Sequence, residues 1–234
     1  GTQPNLEDFA LITTVVSSHS VLVVHPSLPV KSVKELIAFA KARPRQLNFA
    51  AATVGSSYHL AGEMFNSMAG VKTVAIPYKG VVASLTALLS GEVDMVFMSP
   101  VGLGQYVKAG KLRSLAVTSL HPSALAPGLP TMASSGLPGF EITQLAVMYA
   151  PAKTPAAIVN RLNQEIVQFL DKPDTKAKFL ATGVETVGAT PDQSAATIKT
   201  TVANMSKVIR ESGMKINYSR VPSSRAFLGG LSLP

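Results

Sequence analysis

The sequence contains no cysteine and no tryptophan, and aromatic residues make up 6% of its 234 residues. The absence of cysteine excludes disulfide bonds, thiolate metal ligands and cysteine nucleophiles. No apolar run reaches the roughly 18 to 20 residues that a membrane-spanning helix needs. The opening residues, GTQPNLED, lack a basic segment followed by an apolar one, so we expect no signal peptide in this sequence.

Charged residues are also scarce, at 15%, and the net charge of the chain is +8 at pH 7. The basic residues are scattered and do not alternate with aromatic residues, which argues against a nucleic-acid partner. Three of them lie in residues 215–234, a segment without an acidic residue. A hydrophobic content of 47% and a mean hydropathy of +0.29 exclude a disordered chain and indicate a large core.

Apolar segments with strand character alternate with segments of helical periodicity, which predicts an α/β fold with mainly parallel sheets. Capping signals mark three helix starts, at Ser32 with Glu35, at Thr154 before Pro155 and at Thr190 before Pro191. The predicted strands are 9–16, 21–25, 47–52, 74–76, 95–98, 113–118 and 142–149. Residues 120–139, rich in Pro, Gly and Ser, are predicted to form a surface loop.

The segment 47–65, LNFAAATVGSSYHLAGEMF, is the most informative part of the chain. Its pattern predicts a buried strand, a small polar turn at Gly55, Ser56 and Ser57, and an amphipathic helix. Free N–H groups at a helix start bind anions, and the glycine lets a ligand approach the backbone beside two hydroxyls. The turn holds no lysine or arginine, which favours a carboxylate over a nucleoside triphosphate. An ordinary capped strand-to-helix turn is the alternative.

Two further turns should lie near this one, because ligands bind outside the carboxyl ends of the strands in open α/β sheets. Residues 78–80 follow one predicted strand, and Lys79 there could attract a carboxylate or simply be a solvated loop lysine. Ser99 follows another strand, and Thr53 and Val54 could add backbone contacts. The predicted ligand-binding residues are therefore Thr53, Val54, Gly55, Ser56, Ser57, His59, Tyr78, Lys79, Gly80 and Ser99.

Metal binding and catalysis have weaker support. His59 and Glu63 lie one helical turn apart, which is half a metal site, and the sequence favours a histidine that steadies the turn. A Ser56–His59–Asp94 triad can be drawn, but nothing in the pattern positions the base. The sequence has no G-x-S-x-G, no H-E-x-x-H and no G-x-G-x-x-G after a strand. We expect a binding protein without a cofactor, with a serine hydrolase as the less favoured alternative.

The turn and helix at 55–65, GSSYHLAGEMF, resemble the "GS-x-x-HLAGE-x-F" segment of the Bug family. These are the periplasmic solute-binding proteins of tripartite tricarboxylate transporters. The resemblance extends over roughly residues 6–214, and its motifs follow the order of the family. The further matching segments are 77–80, 88–94, 109–118, 129–132, 139–141 and 150–155. Val81 departs from the family, which usually has a second glycine there, and Leu145 and Lys153 replace the usual tryptophan and glycine.

The resemblance implies a type II periplasmic-binding-protein fold, in which two α/β lobes close on a ligand. It implies a small carboxylate ligand, membrane transporter subunits as partners, a periplasmic location and no enzymatic activity. Residues 22–117 would form the second lobe, and 1–21 with 118–214 an incomplete first lobe. The glycine-rich loop and aspartate of the family's first lobe have no counterpart here, so the chain resembles an N-terminally truncated member.

This incompleteness has consequences for association and for binding. We expect exposed apolar sheet edges in the first lobe and self-association through them. We also expect residues 215–234 to be unstructured or an appended tail. A fragment that cannot bind ligand is the alternative to a working carboxylate receptor.

Overall fold

Two β-sheets and their flanking helices organise residues 8–212, the part of the chain that this computed structural model describes. The tail expected at 215–234 lies outside these residues. The elements, in chain order, are β1 (Phe9–His19), β2 (Val21–Val24), α1 (Val33–Ala42), β3 (Asn48–Ala51), α2 (Ser57–Ala69), β4 (Val74–Pro77), α3 (Val81–Leu89), β5 (Met95–Met98), α4 (Gly104–Lys108), β6 (Arg113–Val117), β7 (Thr143–Pro151), α5 (Ala156–Leu170), α6 (Pro173–Ala181), β8 (Glu185–Thr186) and α7 (Pro191–Ser212). None of the described helices is both long and apolar enough to cross a bilayer.

The larger sheet has five strands in the order β4-β3-β5-β2-β6 and is covered on both faces. Leu22 and Val24 of β2 join one hydrophobic cluster, which contains Phe49, Phe65 and Phe97. The alternating residues of β2 join a second cluster on the opposite face, with Leu88 of α3 and Leu103. Burial on both faces explains why its strands are almost continuously apolar in sequence.

The smaller sheet has the order β7-β1-β8, and its strands pair antiparallel. β1 pairs with β7 from Phe9 opposite Pro151 to His19 opposite Thr143. One face packs on α5 through the cluster of Ile12, Ala150 and Val159. Ser17 to His19, predicted to lie between two strands, belong to β1 because pairing with β7 and β8 supplies their hydrogen bonds.

The α/β, two-lobe type of fold is confirmed, but the expectation of mainly parallel strands is wrong. Parallel pairing joins β3 to β4 and to β5, whereas β2 is antiparallel to both of its neighbours. The difference arises at β2. This strand enters the larger sheet from β1 of the smaller sheet through the single residue Ser20, and it lies between β5 and β6 and runs opposite to both.

Two of the three predicted helix caps are confirmed. Ser32 Oγ accepts a hydrogen bond from the backbone of Glu35, and Thr190 exchanges reciprocal bonds with Gln193. The third prediction is wrong, because α5 starts at Ala156 and Pro155 occupies the cap position without a side-chain hydrogen bond. Thr154 lies one residue too early, in a turn that its N–H closes with the carbonyl of Pro151.

Gly62 provides a test of the packing of α2 on β3. A Cβ at Gly62 would lie 2.2 Å from the ring of Phe49, which is fully buried. Gly62→Ala should therefore lower the free energy of unfolding by about 1–3 kcal/mol, although alanine is the better helix former. Urea unfolding followed by circular dichroism measures the change.

Gly104→Ala is the matched control, because a Cβ at Gly104 would meet no heavy atom within 4 Å. This variant should be as stable as the parent or up to about 1 kcal/mol more stable. Equal effects at both positions would contradict the packing of α2 on β3.

Candidate functional site

The turn between β3 and α2, residues 53–57, has the geometry that its sequence predicts. Gly55 has a φ of 83°, a left-handed conformation that suits glycine. Ser56 is the N-cap of α2, and its Oγ accepts a hydrogen bond from the backbone N–H of His59 at 3.4 Å. Thr53 and Val54 are exposed at the start of the turn. We refer to residues 53–57 as the α2 turn.

His59 steadies the α2 turn from within the protein. Its side chain is buried, and Nδ1 accepts a hydrogen bond from the backbone N–H of Gly55 at 3.1 Å. Nε2 lies 3.7 Å from Glu63 Oε1. Because Nδ1 is an acceptor here, the proton of the neutral imidazole is assigned to Nε2. The expectation that His59 supports the turn agrees with this geometry.

Two backbone donors at the start of α2 are left for a ligand. The N–H groups of Gly55 and His59 are used inside the turn, and that of Ser56 donates to the carbonyl of Thr53. Among the described residues, no acceptor is bonded to the N–H groups of Ser57 and Tyr58. These groups are the first donors of a 13-residue helix whose first turn has no acidic residue. The helix start therefore presents two donors and the positive end of its dipole.

The structure brings the other predicted turns to the same edge of the sheet. The backbone N–H of Gly80 donates to the carbonyl of Ala52 at 2.7 Å, which joins residues 78–80 to the α2 turn. The Tyr58 hydroxyl lies beside the backbone of Ser99, which brings the end of β5 next to α2. Burial raises the pKa of Tyr58, and the Ser99 backbone opposes that shift. The sequence analysis did not identify Tyr58 as the residue that lies between the start of α2 and the end of β5.

Residues 78–80 differ in their surroundings. The Tyr78 hydroxyl donates to Glu92 Oε1 at 2.8 Å, so it is occupied away from the α2 turn. Desolvation and the Glu92 carboxylate raise the pKa of Tyr78. Lys79 is exposed, and Gly80 has a φ of 93° at the N-cap of α3.

The triad that could be drawn from the sequence is wrong. Asp94 accepts from the backbone N–H of Asn48 at 2.8 Å, at the start of β3, whereas Ser56 follows the end of that strand. Neither Ser56 nor Ser57 has a hydrogen bond to the His59 ring among the described residues. Over residues 8–212, no group of three His, Asp or Glu side chains could hold a metal ion.

The smaller sheet also contacts this edge, at positions that the sequence analysis missed. Gln144 of β7 donates a hydrogen bond from Nε2 to Ser57 Oγ. A Cβ at Gly183 would lie 2.4 Å from the side chain of Val101, so the turn before β8 packs closely beside the end of β5. No local pattern marks either contact, because both join segments that are distant in sequence.

Three exposed valines border the site. Val54, Val82 and Val101 are 56%, 80% and 53% exposed. They follow β3, β4 and β5, which are neighbours in the sheet order β4-β3-β5. These apolar side chains lie at the same edge of the sheet as the free backbone donors of Ser57 and Tyr58.

Comparison with known proteins identifies the family. The profile of the tripartite tricarboxylate transporter family receptor, TctC, matches residues 4–214. The chain belongs to this family. The resemblance to Bug proteins is thereby confirmed, and the family is one of transport receptors. BugT of Bordetella pertussis is 35% identical over 211 residues, which cover 90% of this chain and 65% of BugT. A UPF0065 protein in the tcbD-tcbE intergenic region of Pseudomonas sp. strain P51 is 33% identical, covering 90% and 63%.

Solved structures of similar proteins share the fold. R. palustris Rpa4515 with adipate is 33% identical, with a TM-score of 0.72, and the match covers 88% of this chain and 69% of that chain. The periplasmic binding protein BugD is 30% identical, with a TM-score of 0.68 and coverage of 88% and 70%. The chain spans 63–65% of the length of the two curated relatives described above.

The cap of α2 can be tested apart from binding. Ser56→Ala removes the acceptor of the His59 N–H and should lower the free energy of unfolding by about 1 kcal/mol. Ser57→Ala is the control, since among the described residues its hydroxyl is bonded only to the exposed Gln144, and it should change stability by less than about 0.5 kcal/mol. Chemical denaturation of both variants measures the difference, and a larger loss in Ser57→Ala would contradict the assigned cap.

Proposed function

We propose that this protein binds a small carboxylate at the α2 turn and acts as a receptor of a tripartite transporter. The observation that carries the proposal is the pair of unoccupied N–H groups of Ser57 and Tyr58 at the start of α2. A carboxylate fits these donors because it has two acceptor oxygens and interacts favourably with the helix dipole. Lys79, exposed on the adjacent turn, adds attraction for an anion.

The surface beside these donors indicates the chemistry of the rest of the ligand, beyond its carboxylate. Val54, Val82 and Val101 present apolar side chains, and Lys79 is the one cation within the three turns that contain the predicted site residues. This surface favours an acid with a hydrocarbon chain over a densely charged acid such as citrate. The bound adipate of the related Rpa4515 supports this class of ligand.

Family membership supports the wider role. We propose that residues 22–117 act as one lobe and 1–21 with 118–214 as part of the other, and that the lobes close on the ligand. Membrane transporter subunits would then bind the closed form in the periplasm, as the naming of BugD as a periplasmic binding protein suggests. A receptor of this kind needs no catalytic group, and the occupied ring nitrogen of His59 gives the serine hydrolase alternative no support.

A matched pair of substitutions at Ser56 separates binding from folding. Ser56→Asn and Ser56→Asp both provide an oxygen that can cap α2, so each should retain the parent's stability within about 0.5 kcal/mol. The aspartate also places a negative charge at the helix start and competes for its donors. Ser56→Asn should retain carboxylate binding, and Ser56→Asp should weaken it at least tenfold.

The measurement is a thermal-shift screen with adipate, citrate, aspartate and benzoate, followed by calorimetry on the acid that gives the largest shift. A bound acid at about a hundredfold excess over Kd contributes about 2.7 kcal/mol of stability. Equal binding by the two Ser56 variants would show that the acid lies elsewhere. A folded chain that responds to none of the acids would favour the fragment without binding activity.

We also propose that two copies associate through β7. Among the described strands, β7 pairs with β1 along one edge and has no neighbour along the other. Its nine residues offer a long edge for antiparallel pairing, with Met148 40% exposed on it.

Met148→Lys should shift the association equilibrium towards monomer in sedimentation velocity experiments over a concentration series, because it adds a charge to this edge. Met68→Lys is the control, because Met68 is a methionine of similar exposure, 39%, that belongs to α2 and not to β7. A monomeric parent, or an equal effect of both substitutions, would contradict pairing through β7.

A further inference from the structure

Gln144 of β7 brings the smaller sheet to the start of α2, where the carboxylate is proposed to bind. Its side-chain amide is hydrogen-bonded to Ser57 Oγ, and the backbone N–H of the same serine is one of the two donors without an acceptor among the described residues. Gln144 is exposed and Ser57 is half-buried, so a ligand can reach both. The amide of Gln144 therefore lies next to the donors of the helix start, although it belongs to the other sheet.

The Gln144 amide has hydrogen-bonding capacity beyond this contact. Among the described residues, its side chain is hydrogen-bonded only to Ser57. An amide carries two N–H groups and one carbonyl oxygen. If Nε2 donates to Ser57 Oγ, the second N–H stays free, and if the amide is reversed, Ser57 donates to Oε1 and both N–H groups stay free. In either orientation, at least one N–H of Gln144 is available to a ligand.

The Gln144–Ser57 hydrogen bond contributes little to the stability of the fold. It joins two side chains at the surface, where water competes for the same groups. The two sheets are joined separately at Thr118, whose hydroxyl accepts from the N–H of Ser20 and donates to the carbonyl of Ile142. Gln144 is therefore free to exchange its bond to Ser57 for a bond to a ligand.

The face of the smaller sheet around Gln144 is neutral. In the pairing of β1 with β7, Ser18 lies opposite Gln144 and Val16 lies opposite Ala146. Residues that pair across antiparallel strands, and residues two apart along one strand, share a face of the sheet. Because none of these four residues is charged, this sheet presents a neutral amide, and not a cation, to the start of α2.

A carboxylate at the start of α2 can accept a further hydrogen bond. Its two oxygens offer about four acceptor positions. The N–H groups of Ser57 and Tyr58 would occupy two of them, both from the side of the helix. An N–H of Gln144 reaches the same place from β7, which supplies a donor from the opposite side.

We propose that Gln144 is a ligand-binding residue, and that its side-chain N–H donates to the carboxylate held by the N–H groups of Ser57 and Tyr58. The acid is then held from both sheets, by the start of α2 on the larger sheet and by β7 on the smaller sheet. This inference rests on the proposed carboxylate function. It adds a contact to the carboxylate itself, so Gln144 contributes to the affinity for every acid that binds at this site.

Two substitutions of Gln144 test the contact. Gln144→Met retains the length of the side chain and removes the amide, so it should weaken acid binding about threefold to tenfold. Gln144→Glu places a second carboxylate against the ligand and should weaken binding at least tenfold. Gln164→Glu is the matched control, because it makes the same change of charge at an exposed position of α5, the helix that packs on β1, and should leave binding unchanged.

A double-substitution cycle separates a ligand contact from an effect through Ser57. Ser57→Ala removes the hydroxyl that Gln144 contacts and retains the backbone N–H. If Gln144 contacts the acid, Gln144→Met should lower the affinity by the same factor in the Ser57→Ala background as in the parent. No loss in that background would show that Gln144 acts only by holding Ser57, and would overturn the proposal.

Isothermal titration calorimetry of the full chain measures the affinities for adipate, citrate, aspartate and benzoate at pH 7 and constant ionic strength. Circular dichroism melts first establish that each variant is folded. The losses should appear with every acid that the parent binds, because the contact is to the shared carboxylate.

The outcomes distinguish this inference from the proposed function. If the parent binds an acid and both Gln144 variants bind it equally well, the inference is overturned and the proposed function stands. An equal loss in Gln164→Glu and Gln144→Glu would also overturn the inference. A folded parent that binds none of the four acids would overturn both.

Discussion

The arrangement of the two sheets depends on the hydrogen bonds of Thr118. Its hydroxyl donates to the carbonyl of Ile142 at 2.7 Å and accepts from the N–H of Ser20 at 2.9 Å. Its backbone N–H also donates to the carbonyl of Ser20, and its carbonyl accepts from the N–H of Ile142. The side chain is fully buried. Thr118 thus joins both chain connections between the sheets by hydrogen bonds. The end of α7 adds an apolar contact, because Val208 belongs to the same buried cluster as Phe65 of α2.

This junction places residues of the smaller sheet against the start of α2. Gln144 follows shortly after Ile142 and contacts Ser57, while its neighbours Thr143 and Leu145 line a cavity between β1, β7, β8 and α7. Because successive side chains of a strand point to opposite faces, one short segment of β7 contacts the α2 turn on one face and lines this cavity on the other.

Capping and anion binding are compatible at the α2 turn. Ser56 and His59 satisfy donors inside the turn and hold its backbone, and the next two donors stay available. The ordinary structural role of the serine and the histidine is thus what keeps the remaining N–H groups in place for a ligand. A flexible turn would have to be ordered on binding, at a cost in affinity.

The sequence by itself determined the local features: the turn at Gly55, the caps at Ser32, Ser56 and Thr190, and the family. These depend on residues a few positions apart, whose backbone preferences are fixed by sterics and hydrogen bonding. Tertiary structure alone decided the direction of β2, the position of Asp94 at the far end of β3, and the contact of Gln144 with Ser57. It also brought His19 into contact with Thr143, across 124 positions of sequence. Such contacts depend on which strands pair, and strand pairing is a property of the whole chain that no local pattern records.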